Sequence, residues 1–308
     1  MTDTPVMARS AATKQSPSPS ARTTRSGLPR RFVPRIDIRR LLGTELPIVL
    51  ILGFALLPWI WMMLSSIRPD AELTHSPIAL WPHQLTLIHH IELLRRTSFT
   101  QNLRDSLIVA CGAVSLGLTL ALPAAYAFSR FRFRGRNWLR TQFLVINMFP
   151  VVMLILPLFV LMRDFGLLDT YFALIAGHAT FTLPFAIWLL TSYIDGIPPE
   201  LDQAAMIDGA TRLQAMLLVV LPLAMPGVVA VGIYLFITSW NEYLFALMMT
   251  GRNVRTVTVA LQLFIGENQI QWGLLMAGGT LVALPATVLF LFAQRRLVGG
   301  LTGGAVKG

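Results

Sequence analysis

The sequence predicts an all-α integral membrane protein with six transmembrane helices. Three observations carry that expectation: an apolar composition, six uncharged hydrophobic runs of span length, and a one-sided distribution of basic residues. Of 308 residues, 55% are hydrophobic and only 13% are charged, with a mean hydropathy of +0.64, which is too apolar for a water-soluble domain. A helix needs about 20 residues to cross roughly 30 Å of hydrocarbon. Runs near that length fall at about 46–66, 107–128, 142–162, 171–193, 216–238 and 273–293. With the N-terminus inside, 18 of the 25 Lys and Arg residues lie on the inner side and 7 on the outer. The positive-inside rule then puts both termini in the cytoplasm.

Taken in order, residues 1–40 are rich in Ser, Thr, Pro, Arg and Ala without apolar periodicity, which predicts a disordered basic tail. The tail lacks the apolar stretch of a secretory signal. Arg30, Arg31, Arg35, Arg39 and Arg40 end it, where they orient the first span or attract lipid headgroups. The outer segment 67–106 contains LTLIHHIELLRR, a pattern for an amphipathic helix at the headgroups. Its adjacent His89 and His90 would point to different helix faces, which does not make a metal site. The loop 129–141 places five arginines among aromatics. Between two spans, that pattern reads as a topology anchor with interfacial Phe and Trp rather than a nucleic-acid patch. Every span carries proline (Pro58, Pro123, Pro150, Pro157, Pro184, Pro222, Pro226 and Pro285), so kinked helices are expected.

Several chemistries are absent from the sequence. The only lysines are Lys14 and Lys307 and no G-x-x-x-x-G-K-[ST] occurs, so nothing holds nucleotide phosphates. One cysteine, Cys111, excludes an internal disulfide and reads as a small packed residue. No clustered catalytic set or metal-binding pattern is found. The six runs contain no Asp, Glu, Lys or Arg, whereas ion-coupled carriers usually need such groups along their path. His178 and Asn147 lie at membrane depth, where each either hydrogen-bonds between helices or lines a polar path.

The chain is organised around the inner loop from Pro198 to Pro222. Pro198 and Pro199 suit the first turn of a helix. Gly209 suits the left-handed residue that ends one. Thr211 and Gln214 form the T-x-x-Q capping box of a second helix. Ala204 and Ala205 leave a small-residue surface between the two signals, where another protein can come close.

The spacing Gln203-Ala204-Ala205, three residues, Gly209, nine residues, Val219-x-Leu221-Pro222 resembles the EAA motif of bacterial ABC importer membrane subunits. The flanking AAMIDGA is most similar to the maltose-type carbohydrate permeases. The resemblance implies the type I ABC importer permease fold over residues 41–298, in the bacterial cytoplasmic membrane. It also implies that a coupling loop, 195–215, docks into a separate ATPase through Glu200, Gln203, Ala204, Ala205, Asp208, Gly209 and Ala210. The family usually carries glutamate where Gln203 stands, and Glu200 offers a carboxylate one turn earlier. By the same resemblance, residues 299–308 form a cytoplasmic tail touching the ATPase through Thr302, Gly304, Ala305, Val306, Lys307 and Gly308. The glycines of this tail are too many for it to fold alone. Trp240, Asn241 and Glu242 resemble a family sequence at the outer end of the fifth span, near the substrate path and the binding protein. Read from the residues alone, they are an aromatic belt and a helix cap.

The function implied is that of a non-enzymatic subunit forming half of the path of an ATP-driven importer of di- or oligosaccharides. Its partners would be a homologous second permease, an ATPase dimer holding ATP and Mg, an extracytoplasmic solute-binding protein and membrane lipid; no nucleic acid is implied. The chain itself would hold no cofactor or metal. An importer of glycerol phosphate or another polar solute is the alternative within the superfamily. A self-sufficient channel or ion-coupled carrier is the alternative from another class.

Overall fold

A computed structural model describes residues 41–74, 81–266 and 269–305. The basic tail, 1–40, lies outside the described residues. Contacts divide the chain into Met1–Gly53 and Phe54–Gly308. A π-helical turn, Leu41–Glu45, leads into α1, Leu46–Ser66. Two short helices follow, α2 at Asp70–Thr74 and α3 at Ile88–Arg96, the latter being the amphipathic helix expected of the outer segment. The long helices are α4 (Phe99–Arg130), α7 (Tyr171–Asp195) and α14 (Trp272–Ala305). Between α4 and α7 come α5, Arg136–Asn147, and α6, Val151–Asp164. After α7 the chain forms α8, Glu200–Ile207, then α9, Arg212–Ala215, a π turn at Met216–Val220, and α10, Leu221–Leu223. It continues as α11 (Met225–Asn241), α12 (Leu244–Met249) and α13 (Val257–Gln262). Among the described residues everything regular is helical except one bridge between Ile265 and Ile270.

Among the described residues, four helices are long and apolar enough to cross a membrane: Gly43–Ser66, Phe99–Arg130, Tyr171–Asp195 and Trp272–Phe292. The expected third and fifth spans are bent pairs, turning 94° between α5 and α6 and 81° between Arg212–Leu223 and α11. Counting each pair as one span gives six. Both bends fall at proline. Pro150 is extended, with φ −62° and ψ 118°, and its ring disfavours helix at Phe149. Pro226 stands in the first turn of α11, where its missing N–H is harmless. Pro58, Pro123, Pro157, Pro184 and Pro285 instead lie inside uninterrupted helices. Pro222 crowds the carbonyl four residues before it, and the wider π turn at Met216–Val220 lies where that crowding falls.

The core forms where α4 packs along α7 and α11 crosses both. At one end Ala121, Ala125 and Tyr126 of α4 meet Ala186, Leu190 and Ile194 of α7 and Val231 of α11. Small residues allow this close approach, which drives helix association where water cannot. At the other end Val109, Leu174, Phe245 and Met249 form a second cluster. The outward faces remain apolar, with Phe54 85%, Met153 65% and Phe292 76% exposed. Such surface is stable only against hydrocarbon or another apolar chain. Cys111 is exposed there rather than packed, beside a cavity of about 540 Å³ lined by Val114, Leu118, Gly232, Ile233 and Phe236.

The glycine-rich stretch after residue 298 is helical through Ala305, not as a unit of its own but as the continuation of α14. Extending an existing helix avoids the cost of nucleating a new one. Val306, Lys307 and Gly308 lie outside the described residues, as do the side chains of Thr302, Gly304 and Ala305.

Gly177 in α7 faces the ring of Phe245, which is fully buried, and a Cβ at 177 would overlap that ring. Gly177→Ala is therefore expected to destabilise the bundle by about 1–3 kcal/mol. A lowered thermal midpoint in detergent, with near-normal helical content at low temperature, is the expected readout.

Candidate functional site

The Pro198–Pro222 loop folds as its local signals predict. Pro199 supplies the N-cap of α8, and the Gln203 N–H donates to its carbonyl at 3.2 Å. At the other end Ala210 N–H donates to Ala205 O at 3.0 Å and Gly209 N–H to Met206 O at 3.2 Å. These two bonds close a Schellman motif, with Gly209 left-handed at φ +95°. Thr211 and Gln214 then cap each other's backbone, Thr211 N–H donating to Oε1 at 2.8 Å and Gln214 N–H to Oγ1 at 3.3 Å.

Helical spacing sorts α8 into two faces. Glu200, Gln203, Ala204 and Ile207 stand at i, i+3, i+4 and i+7 and all are exposed. Asp208 and Gly209 continue that surface, while Ala205 and Ala210 are half-buried at its edge. Ile207 is 86% exposed, a large apolar side chain at the C-terminal end of the stripe. The motif-based residue set had passed over it.

The opposite face presents Asp202, which is 3% exposed. Arg130, the last residue of α4, donates from Nε to Asp202 Oδ2 at 2.7 Å. The same guanidinium donates from Nη1 to Ile194 O at 3.3 Å and to Ser129 Oγ at 3.1 Å, and from Nη2 to Ile197 O at 2.9 Å. Arg130 thus caps the carbonyl end of α7, where the helix dipole favours a cation, while holding α8 by its carboxylate. Two other arginines reinforce the junction. Arg140 pairs with Asp195 at 2.7 Å, and Arg212 lies 4.9 Å over the Phe131 ring. The arginine-rich loop, read as a topology anchor, therefore also makes specific contacts to the loop helix's surroundings.

The far end of α4 organises a second site. Asp105 lies 25 positions before Arg130 on one continuous helix, which separates them by roughly 37 Å. Asp105 accepts Tyr171 OH at 2.7 Å and Arg255 N–H at 3.3 Å, and Ser106 Oγ accepts Val257 N–H at 2.7 Å. Asp169, at φ +60°, accepts the consecutive N–H groups of Gly251, Arg252, Asn253 and Val254 at 2.8–3.0 Å. Burial opposes ionisation of Asp169, but those four donors outweigh it and hold the carboxyl below its ordinary range.

The expected path residues have local partners. Trp240 is 2% exposed, stacks on Phe236 and donates Nε1–H to Val282 O at 3.1 Å, tying α11 to α14. The Glu242 carboxylate accepts Phe245 N–H at 2.7 Å and Ala246 N–H at 2.9 Å, capping α12. His178 is 2% exposed with its ring edge against Phe245, and its Nε2 has no hydrogen-bond partner among the described residues. His178 is enclosed where α12 packs back against α7, and Trp240 fills a separate cluster with Phe99, Val257 and Ala277. Asn147 and Asn241 are exposed, each donating to the carbonyl four residues earlier. Arg130, Asp202, Asp105 and Asp169 escaped the sequence reading. A signal for Asp202 existed in its place off the stripe formed by 200, 203, 204 and 207.

The family described as the binding-protein-dependent transport system inner membrane component matches residues 114–302, which include α8 and both bent pairs' central parts. The chain belongs to this family. Among similar permeases, the sulfoquinovosyl glycerol transport system permease SmoH of Agrobacterium fabrum is 35% identical, covering 94% of this chain and 98% of that protein. The trehalose/maltose transport system permease MalG of Thermococcus litoralis is 35% identical over 85% of this chain and 97% of that protein. The trehalose transport system permease SugB of Mycobacterium tuberculosis is 37% identical over 84% and 95% respectively. A chain of a bacterial ABC transporter involved in importing the acidic polysaccharide alginate superposes with TM-score 0.72 and 25% identity, covering 84% of this chain and 97% of that one. The permease has the type I importer fold.

Nothing lies within 4 Å of a Cβ at Gly209, so a substitution there meets strain in the backbone alone. Gly209→Ala is expected to cost the permease loop about 1–2 kcal/mol, seen as faster amide exchange across α8 with the spans unchanged. A depressed carboxylate pKa gives stability that is present above its unfolded value and lost as pH falls through the folded one. Amides 251–254 should therefore stay protected from neutral pH down into the ordinary carboxylate range, and exchange faster only below it. Loss of protection near neutrality would show that another group holds the segment.

Proposed function

We propose that this permease is the membrane subunit of an ATP-driven carbohydrate importer, and that α8 is the helix through which a separate ATPase moves it. The exposed stripe of Glu200, Gln203, Ala204 and Ile207, with Asp208, Gly209 and the edge residues Ala205 and Ala210, is the docking surface. The single observation that carries this reading is the two-faced α8: one face is free in this chain, the other anchored to the ends of α4 and α7. The permeases similar to it carry names for trehalose, maltose and sulfoquinovosyl glycerol transport, which supports a saccharide substrate of about disaccharide size. Trehalose and maltose are the first to test.

The remaining partners follow from unsatisfied surface. The exposed apolar faces of the spans suit lipid and a second homologous permease. The segment held by Asp105 and Asp169 presents Arg252 and Asn253 outward, a polar platform for an extracytoplasmic solute-binding protein. Both termini lie in the cytoplasm, where the end of α14 and residues 306–308 reach the ATPase, and ATP and Mg belong to that partner. The two-state logic is ordinary: closure of the ATPase dimer makes different contacts with α8 in each state and so biases which side of the path is open.

A tag placed on the N-terminal tail, followed by purification from solubilised membranes, should recover a P-loop ATPase and a second six-span chain. Isolation of this chain alone, still moving sugar in liposomes, would overturn the reading in favour of a channel or ion-coupled carrier. Ile207→Asp is expected to reduce ATPase recovery by at least about tenfold, because it places a charge where the stripe offers its large apolar side chain while leaving the anchored face untouched.

A further inference from the structure

We propose that Arg130 and Asp202 are positioning residues for energy coupling: their ion pair joins α8 to the ends of α4 and α7 as one rigid body. A push on α8 then moves the spans instead of bending the loop. This rests on the reading of α8 as the ATPase-docking helix and goes beyond it, since neither residue lies on the docking stripe.

Three features separate this pair from an ordinary surface contact. It is enclosed, with the two side chains 9% and 4% exposed, whereas Arg96–Glu92 and Arg163–Asp164 have an arginine more than half exposed. Charges out of water resist separation, because each would be left desolvated without its partner. One planar guanidinium serves three elements at once, bonding Asp202 of α8, the carbonyls of Ile194 and Ile197 at the end of α7, and Ser129 beside it on α4. A lysine could keep the charge but not this fork. Asp202 also stands on the face of α8 turned away from Glu200, Gln203, Ala204 and Ile207, so anchoring and docking do not compete for side chains.

The mechanical need follows from size. α8 has eight residues, about 12 Å of helix, too short to be stable alone in water. It is flanked by Gly196 and Gly209. Without a stiff attachment, force on it would be absorbed by local unfolding. Arg140–Asp195 and Arg212 over Phe131 support the same corner, but they touch the neighbouring segments and not α8 itself.

The test uses the assembled transporter with its ATPase and binding protein in proteoliposomes, and compares wild type with Arg130→Lys and the double variant Arg130→Gln/Asp202→Asn. The double variant removes both charges together and leaves none buried without a partner. Three quantities are read: ATPase recovered with the permease, ATP hydrolysed, and ¹⁴C-trehalose or ¹⁴C-maltose taken up. The double variant should keep the ATPase and hydrolyse ATP within about twofold of wild type, while sugar moved per ATP falls about tenfold, an ordinary size for a coupling free energy. Arg130→Lys should fall between the two. Unchanged sugar per ATP in the double variant would overturn the proposal. So would loss of the ATPase from its complex, since the pair would then only maintain shape. Wild type that binds no ATPase, or carries neither sugar, would sink the docking reading first and this inference with it.

Discussion

The Arg130 guanidinium is the point on which the α8 end of the bundle depends. Without it, the Ile197 carbonyl just beyond α7 would lose its donor and Asp202 would be a buried carboxylate without a cation. Neither situation is tolerable away from water. Because one side chain resolves both, the end of α4, the end of α7 and the loop helix are obliged to meet in one place. The stripe formed by Glu200, Gln203, Ala204 and Ile207 lies on the face of α8 turned away from that anchor, because residues three and four apart share a face and Asp202 falls off it.

The far end of the bundle uses the same device with the polarity reversed. There carboxylates gather backbone donors: Asp169 takes four consecutive N–H groups, Asp105 takes a tyrosine hydroxyl and an N–H, and Glu242 caps α12. An irregular segment in a membrane protein has few ways to satisfy its backbone, and a carboxylate that accepts several N–H groups at once is an economical one. Glu242 and Trp240 both hold scaffold contacts within this chain, the one to the N–H groups of α12 and the other to the Val282 carbonyl. His178 is likewise enclosed, by Phe245 of α12.

Proline had two different effects in the one chain. Pro150 and Pro226 coincide with sharp turns, whereas five other span prolines sit in helices that continue past them. The turns occur where a proline ends one packed segment and begins another: α6 packs on the Phe245 cluster, α11 across α4 and α7. Elsewhere the helix continues through the proline, even at Pro58 in an exposed stretch of α1. The local rule marks where a helix is weak, and the packing chooses which weakness is used.

The sequence by itself determined the membrane class, the loop and its caps. Hydropathy, Gly209 and the Thr211–Gln214 box act over a few residues, and their physics is complete within that range. It also carried the motif spacing that resembles a permease family to which the chain belongs. Tertiary structure decided which polar residues do the joining. Arg130 and Asp202 are 72 positions apart, and Asp169 lies 82 to 85 positions from the N–H groups it accepts. No local pattern distinguishes Arg130 from the four other arginines of its loop, and the helical spacing that sets Asp202 off the exposed stripe does not say which arginine it meets. Only the packing of α4 along α7, made possible by small residues spread over both helices, brings one particular arginine to one particular carboxylate and removes the water that would otherwise make the choice immaterial.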